Sequence, residues 1–155
     1  CGLLARSAGH AGMAGGQAID LASIGLALDE PELRNMHRRK TGALIEASVL
    51  LGAAAAGVTG GPKVDALRTL GADIGLAFQI QDDILDVSGD TVALGKATGA
   101  DAAHKTPTYP STIGLEAARR RAADLQHRAI AALDVFGDDG ESLRALARFM
   151  VNRRH

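Results

Sequence analysis

Apolar positions recur at helical spacing over most of the chain, and strand-type alternation never lasts more than a few residues. Leu3 to Ile24 reads as helical, with Met13, Gln17 and Asp20 near one face. Gly12, Gly15 and Gly16 weaken that helix by up to about 1 kcal/mol each relative to Ala. Such a cost is tolerable where another backbone or a ligand must approach closely. Asp29-Glu30-Pro31-Glu32 reads as a helix start, with Asp29 as cap, Pro31 in the first turn and Glu32 completing a capping box. That helix is expected to run to about Ala56, followed by a turn from Gly57 to Pro62 and a long helix from Val64 to Val87. Gly89 to Pro110 lacks periodicity, and connections this long are often functional. Gly114 to Phe136 reads as an amphipathic helix, Gly137-Asp138-Asp139-Gly140 as a turn and helix cap, and Ser142 to Val151 as a last helix. The expected class is all-α.

The long central helix ends in Phe78-Gln79-Ile80-Gln81-Asp82-Asp83-Ile84-Leu85-Asp86. Asp82 and Asp86 fall on one face a turn apart, Gln79 lies a turn before them, and Asp83 sits about 100° round the helix. Like charges at this spacing repel. No Lys, Arg or His lies between Thr69 and Gly95 to offset them. The helix is too apolar to be a simple solvated face, so the compensating charge must come from elsewhere, either from distant basic residues or from a bound ion. Hard oxygen ligands of this kind suit Mg²⁺, which takes one or two carboxylates and fills its shell with water and phosphate. An exposed acidic helix end is the bland alternative. Upstream, His37-Arg38-Arg39-Lys40 points four basic or potentially basic side chains in four directions. At least one must face inward or into a cleft, unless the run is an ordinary surface patch. Lys96 and Lys105 follow the aspartates on the aperiodic stretch, where they could close over a metal-phosphate site.

Composition narrows the class further. At 155 residues the chain is long enough for one domain with its own core, and an apolar set dominated by Ala and Leu favours closely packed helices. A net charge of −1 gives no support for nucleic-acid binding. The only cysteine is Cys1, which excludes an internal disulfide and makes a reducing compartment the default. The longest uncharged run, Ala47 to Pro62, is interrupted by glycines and is shorter than the roughly 20 apolar residues of a membrane span. No signal peptide is visible, and the expected location is cytoplasmic. A chain that starts at Cys rather than Met reads as an interior or processed piece.

Several blocks in this order resemble the trans-isoprenyl diphosphate synthases, and among them the bacterial farnesyl diphosphate synthases. These are Gly16-Gln17-x-x-Asp20, His37-x-x-Lys40-Thr41-Gly42, the Phe78 to Asp86 run, Gly89-Asp90, Gly95-Lys96 and Thr108-Tyr109-Pro110. One DDxxD alone is weak; the ordered set is specific. The resemblance covers residues 1–155 and implies the C-terminal half of the isoprenoid synthase helical bundle. It implies a Mg²⁺-dependent prenyltransferase that condenses an allylic diphosphate (dimethylallyl or geranyl) with isopentenyl diphosphate to give farnesyl diphosphate. By position, Asp82 would be a direct Mg²⁺ ligand, with Asp83 and Asp86 supporting the metal shell. Lys40 and Lys96 would contact the allylic diphosphate, with Thr41 and Gln79 as polar partners. Gln17 and Asp20 would line the cavity, with Asp20 able to hydrogen-bond metal-bound water, and Phe78 would face the isopentenyl diphosphate site.

Two features depart from the family pattern. Thr106 stands where family members usually carry Lys two residues before Thr-Tyr-Pro, and the lysine is displaced to Lys105. The family's first aspartate-rich motif is absent, so the chain by itself is expected to be inactive and to need an N-terminal half. The resemblance also implies a homodimer. A non-catalytic helical subunit that docks on a complete prenyltransferase is the alternative, and intact Asp82, Lys40 and Lys96 argue against it.

Overall fold

The computed structural model describes residues 1–88 and 106–152, all of them helix, turn or connection without a strand. Its helices are α1 (Gly2–Ala8), α2 (Met13–Ala22), α3 (Glu30–His37), α4 (Ala43–Ala55), α5 (Pro62–Ser88), α6 (Tyr109–Ile113), α7 (Leu115–Ala132) and α8 (Glu141–Asn152). A π-helical segment, Arg38–Gly42, joins α3 to α4, and a 3₁₀ segment, Leu133–Gly140, joins α7 to α8.

The start of α3 is as the sequence dictates. Asp29 accepts a hydrogen bond from the Glu32 amide at 2.8 Å, and Glu32 accepts one from the Asp29 amide at 3.0 Å. Both orphan donors of the first turn are thereby satisfied. At the end of α4, Gly57 takes φ +79°, and the Val58 amide reaches back to the Ala53 carbonyl at 2.9 Å. A Cβ would strain that left-handed turn, which closes the last orphan carbonyls. Elsewhere the boundaries shift. The expected helix from Leu3 to Ile24 is two helices, because the chain turns between Gly9 and Gly12 before α2 begins. The helix expected to reach Phe136 ends at Ala132 and tightens into the 3₁₀ segment, where Gly137 turns out of helical geometry at φ +54°. Asp138 and Asp139 are exposed there, in the turn the sequence indicates.

At 27 residues α5 is the axis of the fold, and it packs most extensively against α7 and α4. Its buried side chains Leu70, Ile74, Leu76, Ile80 and Ile84 join Leu33 and Met36 of α3, Leu125 of α7 and Leu133 in one core. Burying each such side chain stabilises the fold by about 1.5–3 kcal/mol. Small residues set the spacing. A Cβ on Gly71 would lie 2.6 Å from the Glu46 Cα, and one on Gly75 would lie 2.7 Å from the Gly42 Cα, so α5 meets α4 and the end of the π segment backbone to backbone. None of the described helices is long and apolar enough to cross a membrane.

The α5–α7 contact carries a buried charge. Asp73 is 4 % exposed, and the Arg128 guanidinium reaches its two carboxylate oxygens at 3.2 and 3.1 Å. Burial pushes the Asp73 carboxyl above its ordinary value of 3.8, and Arg128 pulls it partly back. A carboxyl raised in the folded state binds its proton more tightly there than in the unfolded chain. Its stabilising contribution is therefore present below pH 3.8 and lost as the pH rises through the raised value. Urea unfolding across that window is expected to show the wild type losing stability relative to Asp73→Asn as the pH rises. Parallel pH profiles would contradict this.

Candidate functional site

The site is built around the π-helical segment. Such i→i+5 turns are rare and persist where neighbours hold them. Here α2 closes one side: a Cβ on Gly16 would lie 2.2 Å from the Lys40 amide nitrogen, so the two backbones are in contact. The close approach expected in the glycine-containing stretch thus occurs at Gly16. It brings Asp20, one turn on, within 2.6 Å of the Lys40 ammonium, with the two side chains 13 % and 33 % exposed. Next in sequence, the Thr41 hydroxyl donates to Oε1 of Gln79 at 2.8 Å, and Gly42 backs onto Gly75. Asp20, Lys40, Thr41 and Gln79 therefore form a continuous polar seam across α2, the π segment and α5.

Of the four residues His37 to Lys40, His37 is the one buried, at 4 % exposure, while Lys40 is half-buried and Arg38 exposed. Arg39 is held by Asn35 a turn earlier, at 3.2 Å. The run is thus split between core, seam and solvent.

The seam continues along α5. Gln79, Asp82 and Asp86 follow at one-turn spacing, all half-buried, with Phe78 half-buried beside them. Oδ2 of Asp86 is buried and has no hydrogen-bond partner among the described residues. A buried carboxylate oxygen without a donor is costly unless a cation answers it. No group of three or more His, Cys, Asp or Glu side chains converges on a metal position among the described residues. Mg²⁺ does not need one, since one or two carboxylates with water and phosphate complete its shell. The pair Asp82 and Asp86, with the buried oxygen of Asp86, fits such an ion.

Asp83 is oriented differently. It is 3 % exposed, and its Oδ2 accepts a hydrogen bond from the Tyr109 amide at 2.9 Å and lies 3.3 Å from Nε2 of His37. The His37 ring stacks on Tyr109 with 5.7 Å between centroids. Burial pushes the Tyr109 phenol up to about 12. Gln17 is exposed on α2, three residues before Asp20. Lys96 and Lys105 lie outside the described residues, as does the rest of the stretch from 89 to 105; Thr106 is half-buried at its far end.

An all-helical bundle with an acidic-amide face on its central helix and a basic π segment beside it defines a class. Residues 4–139 match the polyprenyl synthetase family model, and the chain belongs to that family. The farnesyl diphosphate synthase of Escherichia coli (strain K12) is 47 % identical over 153 residues, which is 97 % of this chain and 51 % of that protein. The farnesyl diphosphate synthase of Haemophilus influenzae is 40 % identical, over 98 % of this chain and 52 % of that protein. The chain therefore spans about half the length of these curated relatives. A geranyltransferase of Helicobacter pylori, solved with magnesium and isoprenyl diphosphate, superposes with a TM-score of 0.81 at 31 % identity, covering 97 % of this chain and 49 % of that one. The expected all-α isoprenoid synthase fold is thus found.

Two contacts were not readable from spacing. The Lys40–Asp20 pair joins residues 20 apart, and His37 approaches Asp83 across helices. The usable signal was the run His37 to Lys40, in which at least one member must face inward unless the run is a surface patch, without saying which.

Because Gly16 and Lys40 touch through their backbones, Gly16→Ala forces α2 away from the π segment. Overpacking of this kind costs about 1–3 kcal/mol. Chemical denaturation is expected to show that loss, and none of it for Ala at Gly52 in α4, where an added Cβ meets nothing within 4 Å. Equal effects at both glycines would refute the contact.

Proposed function

We propose that this chain forms one half, the C-terminal half, of the active site of a Mg²⁺-dependent prenyltransferase of the farnesyl diphosphate synthase type. The observation that carries the reading is the polar seam Asp20–Lys40–Thr41–Gln79, which runs into Asp82 and Asp86 one and two turns further along α5. The reaction joins an allylic diphosphate to isopentenyl diphosphate. The allylic C–O bond breaks, the double bond of isopentenyl diphosphate attacks the resulting cation to form a C–C bond, and a proton is lost.

In this reading Asp82 and Asp86 hold Mg²⁺. The ion, when bound, supplies the positive charge that stabilises the departing diphosphate. Lys40 presents an ammonium to the same diphosphate, and the partly buried Asp20 aims it by ion pairing. Thr41 and Gln79 orient one another at the rim of the diphosphate position. Lys96 and Lys105 would add positive charge from the stretch after α5. Gln17 lines the cavity from α2, and Phe78 presents an apolar face where isopentenyl diphosphate would sit. The surrounding apolar side chains of α5 exclude water that would otherwise quench the cation.

The seam is half of a cavity, and the remaining walls and the second set of metal carboxylates would come from an N-terminal half. Complete enzymes of this kind would act as homodimers in the cytoplasm. Support comes from the family match and from relatives whose names describe this chemistry.

Prenyl transfer assayed in the complete polypeptide, or in a mixture with the complementary half, tests the reading. Asp82→Ala is expected to lower turnover by about 100-fold or more with unchanged helical circular dichroism. The chain alone is expected to bind Mg²⁺ with inorganic diphosphate and to show no turnover. Wild-type rates from the Asp82→Ala protein would remove the metal assignment. Undiminished rates when this chain is left out would favour a non-catalytic subunit.

A further inference from the structure

Asp83 stands next to Asp82 in sequence, and the family resemblance assigns both to the metal. Their surroundings differ. The Asp83 carboxylate is almost wholly buried and lies among groups of two other helices. The amide at the start of α6 donates to Oδ2 at 2.9 Å, and the imidazole at the end of α3 lies 3.3 Å from the same atom. Tyr109, whose amide is that donor, is itself fully buried and stacks on the same imidazole.

Three elements therefore meet at one carboxylate. The Tyr109 amide is an orphan donor of a first helical turn, and Thr108 and Ser111 close the capping box around it. On the other side, His37 is the last residue before the π segment that carries Lys40 and Thr41. The π segment is held at Lys40 by Gly16 and Asp20, at Thr41 by Gln79, and at Gly42 by Gly75. At its entry the His37 ring packs on Tyr109 and lies 3.3 Å from Oδ2 of Asp83, with neither ring nitrogen hydrogen-bonded among the described residues. A shift of His37 would be passed to the next turn, because the two are continuous in the backbone.

We propose that Asp83 is a positioning residue rather than a metal carboxylate: it clamps His37 and the Tyr109 amide to α5, and so sets where Lys40 and Thr41 stand relative to Asp82. The DDxxD run then divides by face. Asp82 and Asp86 serve the seam, while Asp83 serves the joint behind it. The bearing of the clamp on diphosphate binding rests on the function proposed above; the clamp itself does not.

The two roles respond differently to Asn. An amide oxygen still accepts from the Tyr109 amide but carries no charge for a metal. Amide hydrogen exchange and ¹⁵N–¹H spectra of the chain, with Mn²⁺ titrated in the presence of inorganic diphosphate, separate them. Asp83→Ala is expected to speed exchange at Tyr109 by about tenfold or more and to shift the Lys40 and Thr41 amides. Asp83→Asn is expected to restore both and to keep Mn²⁺ affinity within about twofold of wild type, whereas Asp82→Asn weakens it by about tenfold or more. If Asp83→Ala fails to fold while Asp83→Asn folds with Tyr109 protected, the clamp also stands. The proposal is overturned if Asp83→Asn weakens Mn²⁺ as much as Asp82→Asn, or if Asp83→Ala leaves Tyr109 exchange and the Thr41 amide unchanged. Absence of Mn²⁺ binding in the wild type would count against the proposed function, and the clamp would then be judged on exchange and spectra alone.

Discussion

Backbone-to-backbone contact at a few glycines governs the geometry of this molecule. Gly16 admits the Lys40 amide, Gly75 admits the Gly42 backbone, and Gly71 admits Glu46. A methyl group at any of these would push two helices apart by more than the reach of a hydrogen bond can tolerate. The consequence is local to each contact but cumulative across the site. With α2 and α5 both seated against the segment from His37 to Glu46, the short side chains of Asp20, Thr41 and Gln79 meet their partners directly. Longer side chains could bridge a wider gap, at the cost of fixing more rotors.

The same contacts explain a π segment at this place. A π turn gives up good hydrogen-bond geometry and is tolerated where tertiary contacts over-determine it. Here the contacts come from α2, α5 and the buried His37. The widened turn sets Lys40 against α2 and Thr41 against α5, although the two are adjacent in sequence. One short segment thus links an acidic residue of α2 to the aspartate-bearing face of α5.

Electrostatics follow from burial. Two carboxylates of α5 are nearly excluded from solvent, and each has a specific partner: Arg128 for Asp73, and the Tyr109 amide with His37 for Asp83. Asp86 has a buried oxygen without a hydrogen-bond donor among the described residues; the corresponding oxygen of Asp73 also lacks one but lies 3.1 Å from Arg128. Buried acceptors without partners are uncommon in folded proteins.

Much of the local structure was legible in the order of residues. The capping box at Asp29 and Glu32, the turn from Gly57 to Pro62, the length of α5 and the shared face of Gln79, Asp82 and Asp86 all rest on interactions within a few residues. The ordered motifs likewise carried the family. Where local signals were weaker, the sequence reading was coarser. It ran α1 and α2 together across Gly9 to Gly12, and it extended α7 past the point where the chain tightens into a 3₁₀ segment. What the sequence could not determine was which face each motif residue would serve. Lys40 meets a carboxylate 20 residues away, Thr41 an amide 38 away, and the Tyr109 amide reaches back 26 to Asp83. Spacing fixes direction only relative to a helix's own axis. The packing of one helix on another decides what lies in that direction, which is why Asp82 and Asp83, neighbours in the chain, face different surroundings.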